Sequence, residues 1–150
     1  MDLREKLSAR LKEAMRDHDQ RRVGTLRLIL AALKDQDIAL RAEGRTVGDA
    51  EATAILARMV KQRQESARVY EEGGRLELAE QERAEIGIVE EFLPRRLTEE
   101  EVEAAIDAAV AETGAGSVRD MGRVMGILKQ RYPGQIDFGA AGPMVKARLT

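Results

Sequence analysis

A chain of 150 residues can bury one hydrophobic core, or one core and a small satellite. Aromatics make up 3%, tryptophan is absent and 35% of residues are charged, so the core must be built from Leu, Ile, Val, Ala and Met, which favours helices over sheets. Without cysteine, a ~20-residue apolar run or a signal-peptide core, the disulfide-scaffold, membrane-spanning and secreted classes drop out, and the cytoplasm is the expected compartment.

Leu3, Leu7, Leu11 and Met15 recur at four-residue steps and predict a first amphipathic helix that frays near "DHDQ". A second follows with Val23, Leu26, Ile29, Leu30 and Leu33 inward, and Gly44 stops it. The third opens after "TVGD", with Thr46 or Gly48 as cap and Asp49 at the positive end of the dipole. Its inward stripe is Ala52, Ile55, Leu56, Met59, Val60 and Tyr70. Gly73–Gly74 breaks the chain, and a fourth helix carries Leu76, Ala79, Ile86, Val89 and Leu93 up to Pro94. Four long helices with short connections predict an N-terminal four-helix bundle over residues 1–94.

"PRRL" reads as a hinge into a second domain, 95–150, a three-helix tail. Thr98 to Glu101, "TEEE", is a capping box. The helix it opens buries Val102, Ile106, Ala109 and Val110 and stops at "GAG". Ser117 and Asp120 form a similar start signal for the next. For the last helix Asp137 is a candidate cap, but Gly139, Gly142 and Pro143 weaken its first turns and predict a kink or a start near Pro143. No strand pattern persists, so the fold class is all-α.

Chemistry-bearing constellations are absent. His18 is the single histidine and sits among charges at a helix end, which reads as a surface residue and leaves no zinc set. Carboxylates are spread along helix faces and caps, with no spacing that selects an acid/base pair. Ser8, Ser66 and Ser117 have no partner for a triad, and neither a phosphate-cradling nor a dinucleotide glycine motif occurs. The sequence assigns no catalytic residue, metal or cofactor.

The net charge of −2 is unevenly distributed. Residues 117–150 carry six Lys/Arg against Asp120 and Asp137, residues 1–34 carry nine against five acids, and the middle is strongly acidic. Such blocks point to intramolecular pairing or to a polyanionic partner at the basic ends. Within "DMGRVMGIL" two glycines stand four residues apart in a predicted helix, each costing about 1 kcal/mol relative to alanine. On a wheel of about 100° per residue with Val118 at zero, Met121, Met125, Leu128 and Tyr132 form an inward stripe at about 280–340°. Lys129 falls at about 20°, Gly122 at 40°, Gly126 at 80°, Arg119 at 100°, Gln130 at 120° and Arg123 at 140°, while Asp120 lies away at 200°. Arg119, Gly122, Arg123, Gly126 and Lys129 thus share an acid-free sector. Two occupants fit it: a neighbouring helix packed on the glycines, or an RNA sugar-phosphate backbone met by the cations.

Four segments, "TLRLILAALKDQDI", "KQRQESARVYEEGGRLELAEQERAEI", "EEFLPRRLTEEEVEAAI" and "DMGRVMGILKQRYPGQIDFGAAGPMVK", resemble in order the YqeY family. That family is similar to the helical and tail regions of the GatB component of the aspartyl/glutamyl-tRNA amidotransferase. The resemblance implies a helical bundle followed by a small tail domain. It also implies tRNA binding by that tail, or association with an amidotransferase or aminoacyl-tRNA synthetase assembly. The alternatives are a protein-interaction adaptor without RNA contact and a share in the glutamine-dependent carbon–nitrogen ligase activity of the larger enzyme, whose catalytic cradle has no counterpart here. Where the family commonly has "GRADG" this chain reads "GQIDF", exchanging a base for Gln135 and placing apolar Ile136 and Phe138 in the turn.

Overall fold

Four of the seven α-helices among the described residues begin where a side chain satisfies an orphan amide, whereas the expected Ser117 and Asp120 start signal caps neither the 3-10 turn nor the helix after it. In a computed structural model that describes residues 2–150, Asp2 accepts from the Glu5 amide (2.8 Å) and opens α1, Leu3–Arg16. Asp19 accepts from the Arg22 amide (3.2 Å) and opens α2, Gln20–Leu40. Between them His18 adopts φ 55°, turning the chain in the left-handed region at the exposed end of α1. A short 3-10 turn and Gly44 at φ 67° close α2. The next helix, α3, spans Asp49–Glu72 with Gly48 rather than Thr46 at the cap position. Gly74 at φ 75° then leads into α4, Leu76–Glu90. All regular elements among the described residues are helical.

The chain divides into two compact units between Leu93 and Pro94. In the first, α1 lies on α2 and α3 on α4, with α2 also meeting α4. Leu7, Leu26, Ile29, Leu33, Leu56 and Val89 are fully enclosed in its core. Three side chains expected to face inward do not: Met15 is 48% and Leu76 60% exposed, and Tyr70 is only half-buried. A strict four-residue step drifts about 40° per repeat against the 3.6-residue turn. By the fourth repeat of α1 the core is therefore met by Ala14, not Met15. In α3 the last buried residue is Ala67, which falls between Leu56 and Val60 on the wheel, and Leu76 precedes the stretch of α4 that reaches the core.

The fourth helix also stops earlier than Pro94. The amides of Glu91, Phe92 and Leu93 turn back to the carbonyls of Ile88, Val89 and Glu90, a tight last turn that buries Phe92. Leu93, preceding a proline, is disfavoured from helix.

The second unit contains α5 (Glu99–Thr113), α6 (Met121–Arg131) and α7 (Phe138–Leu149), each touching the other two. Val124, Leu128, Ala109, Ala141 and Val145 form its centre. The capping box of α5 is complete: Thr98 Oγ1 accepts from the Glu101 amide (3.2 Å) and Glu101 Oε1 from the Thr98 amide (3.0 Å). Of the two expectations for the last helix, the start near Pro143 is not met: α7 begins at Phe138, where the candidate cap Asp137 accepts from the Gly139 amide (3.0 Å), and it runs through Pro143. A proline in the second turn forfeits one bond, to the Gly139 carbonyl. Continuity is kept because Ala141, Val145 and Leu149 form one buried stripe spanning the proline.

Candidate nucleic-acid interface

The approach to α6 is a 3-10 turn, Val118–Asp120, so the uniform wheel does not describe Arg119. A 3-10 turn advances about 120° per residue, which carries Arg119 to about 60°, between Gly122 and Gly126. The inward stripe shifts as well: Val124 and Leu128 are fully enclosed, whereas Met121, Met125 and Tyr132 are half-buried. The core therefore centres further from the glycines than the uniform wheel places it.

Gly122 and Gly126 are exposed, and a Cβ built on either would meet no atom within 4 Å. No helix of the second unit packs on them, which removes the close-packing explanation of this glycine pair within that unit. The backbone of α6 is bare on that side.

Of the five residues in the sector, the structure brings four together as unencumbered surface and ties down one. Arg119 and Lys129 are exposed and make no ion pair among the described residues. Arg123 is exposed but its Nη2 donates to Asp120 Oδ1 at 2.6 Å. Asp120 also accepts from the Gly116 amide at 3.1 Å. The Arg123 hydrogen bond, followed by that amide, holds the Asp120 carboxyl below its ordinary value. Asp120 thus lies away on the wheel yet reaches into the sector, because a side chain three residues from its partner crosses the same turn.

The rest of the basic C-terminal block is partly neutralised from within its own unit. Arg131 pairs with Glu112 at 2.5 Å and Arg148 with Asp107 at 2.7 Å, both acids of α5. Lys146 remains exposed without an ion pair among the described residues.

The "GQIDF" turn, whose departures bear on nucleic-acid binding, has an internal role. The Leu97 amide donates to the Gln135 carbonyl (2.9 Å), and Gln135 Nε2 donates to the Arg95 carbonyl (3.1 Å). Ile136 is buried and Phe138 packs against the same core. The turn fastens the 95–97 segment to the second unit. Spacing along the chain carries no signal for this contact, which joins residues 40 apart.

Arg95 forms a two-pronged bridge to Glu101, Nη1 to Oε1 and Nη2 to Oε2 at 2.9 Å each. That bridge, with the Thr98 amide, depresses the Glu101 carboxyl to about 2. Arg95 is therefore engaged, while Arg96 is exposed. Among the described residues no cluster of three His, Asp or Glu side chains has the geometry to hold a metal ion. No described helix is long and apolar enough to cross a membrane.

No match is found among curated proteins. The family model described as "Yqey-like protein" matches residues 4–149, both units end to end, and the chain belongs to the YqeY family.

Proposed function

We propose that this chain binds structured RNA, tRNA being the class that the family resemblance implies, through the outer face of α6. The observation that carries the reading is the uncovered backbone at Gly122 and Gly126 beside the unpaired Arg119 and Lys129. A phosphate backbone needs close approach and counter-charge, and both are offered on one face. Arg123 joins when phosphate competes it away from Asp120. The shortage of aromatics leaves few stacking platforms, so shape and phosphate contacts dominate over base reading. In this reading the first four helices form a bundle that carries the tail domain. The protein acts in the cytoplasm as a non-catalytic accessory to tRNA-dependent assemblies.

Filter binding of tRNA over a salt series tests this. Affinity should fall steeply with salt, and Arg119→Ala/Lys129→Ala should weaken it and reduce the log–log slope by about two. Gly122→Leu/Gly126→Leu should weaken binding while the chain still folds, since the added side chains meet open space. Binding absent at low salt, or indifferent to both double variants, overturns the reading.

A further inference from the structure

The outer face of α2 is unlike that of the long helix α3. On a wheel of about 100° per residue with Gly24 at zero, every residue from about −80° to +60° is exposed. Half of these ten are Gly or apolar: Gly24, Leu28, Ala31, Ile38 and Ala39. The exposed residues of α3 are mostly charged or amide side chains, with only Ala50, Ala54 and Val69 apolar. In a chain with 35% charged residues, Leu28 at 52% and Ile38 at 51% exposure on one stripe stand out. On either side of Leu28 the surface is low, Ala31 being small and a Cβ on Gly24 meeting nothing within 4 Å, while Asp35 stands between Ala31 and Ile38.

Charge on this face is one-sided. Arg27 and Lys34 lie together along one edge at about −60° and −80°, and Arg21 at about +60° on the other. None of the three forms an ion pair among the described residues. Asp35, at about +20°, is the single acid of the sector.

We infer that the outer face of α2 is a docking site for an amphipathic helix with aliphatic anchors and acidic residues along one edge. The aliphatic anchors seat over Gly24 and Ala31, on either side of Leu28, as one helix packs on another. The partner's acidic edge faces Arg27 and Lys34. A second copy of this chain fits less well. An antiparallel two-fold pair sets Arg27 and Lys34 against the same two cations of the other copy, and a parallel pair sets Gly24 opposite Gly24 with the gap unfilled. A nucleic-acid backbone matches the cations but gains nothing from Leu28 and Ile38. The site lies in the first unit and does not depend on RNA binding by α6.

The test uses the full chain and two fluorescein-labelled helical peptides. Both carry Leu at every third and fourth position; one edge is Glu in the first peptide and Lys in the second. Fluorescence anisotropy should show saturable binding of the Glu peptide at least tenfold tighter than of the Lys peptide. Leu28→Ser/Ile38→Ser and, separately, Gly24→Leu should each weaken it at least tenfold. Gly24→Leu places its side chain in open space, so its circular dichroism and melting temperature should match or exceed the parent's. Equal binding of both peptides, or none, overturns the proposal. So does a solution dimer by sedimentation that Leu28→Ser/Ile38→Ser dissociates, or loss of tRNA binding in that variant.

Discussion

Helices α2 and α6 solve the same packing problem and present different outer faces. Each buries one side completely, Leu26, Ile29 and Leu33 in the first unit and Val124 and Leu128 in the second. Each leaves glycine on its outer side with nothing over it: Gly24 in α2, Gly122 and Gly126 in α6. The difference lies in what surrounds the bare backbone. Beside Gly24 stands exposed Leu28, with Ile38 further along the same face and cations on the flanks, whereas beside Gly122 and Gly126 stand Arg119, Arg123 and Lys129. An uncovered helix backbone by itself therefore specifies no ligand. The neighbouring side chains decide between an apolar helix and a phosphate chain.

The inner faces set the scale for that comparison. Leu128→Ala or Leu26→Ala should cost about 2–5 kcal/mol, while Leu28→Ala on the outer face of α2 should change stability by about 0.5 kcal/mol or less. Urea midpoints measure all three. A large loss at Leu28 would mean that its side of α2 is already covered in the folded chain.

Alanine at the outer glycines is the next largest effect, and it has the opposite sign. Gly24→Ala, Gly122→Ala and Gly126→Ala should each stabilise by up to about 1 kcal/mol, since each removes a helix penalty without a clash. Thermal melts of the single variants check this. Destabilisation at either site in α6 would restore the packing explanation for the pair.

The two faces should also separate in RNA binding. Asp120→Asn releases Arg123 and should tighten tRNA binding a few-fold, whereas Asp35→Asn on α2 should leave it unchanged. Paired titrations at one salt concentration read the contrast. A gain from Asp35→Asn would move the RNA contact toward the first unit.

The smallest expected effect concerns the entry to the second unit. Glu101, held at about 2 against an ordinary 4.5 by Arg95 and the Thr98 amide, contributes stability that is complete above about 4.5. That contribution fades as pH falls from there toward 2, because the folded state must take up the proton last. Glu101→Gln should flatten this part of the stability–pH curve and leave α2's unit unaffected. An unchanged curve would show that Arg95 and Glu101 do not hold each other in solution.

Much of the architecture is legible in the sequence because it rests on local chemistry. Thr98 and Glu101 announce their capping box by spacing alone, and Gly44 and Asp137 mark helix ends by residue type. The passage of α7 through Pro143 is not legible in the same way. Pro143 signals locally, while the stripe of Ala141, Val145 and Leu149 that overrides it acts through burial. Met15 is within reach of local reading, since the drift of a four-residue step moves it off the stripe, whereas the exposure of Leu76 in the first turn of α4 depends on what packs there.

The candidate face on α6 divides along the same line. Residue types by themselves determined that glycines and cations share one side of this helix, since the 3.6-residue period fixes angular neighbours. Tertiary structure alone decided that no helix of its own unit covers Gly122 and Gly126, that Arg131 and Arg148 are claimed by Glu112 and Asp107, and that Gln135 fastens residues 95–97. Those outcomes depend on which elements approach in space, and spacing along one helix carries no information about what stands opposite it.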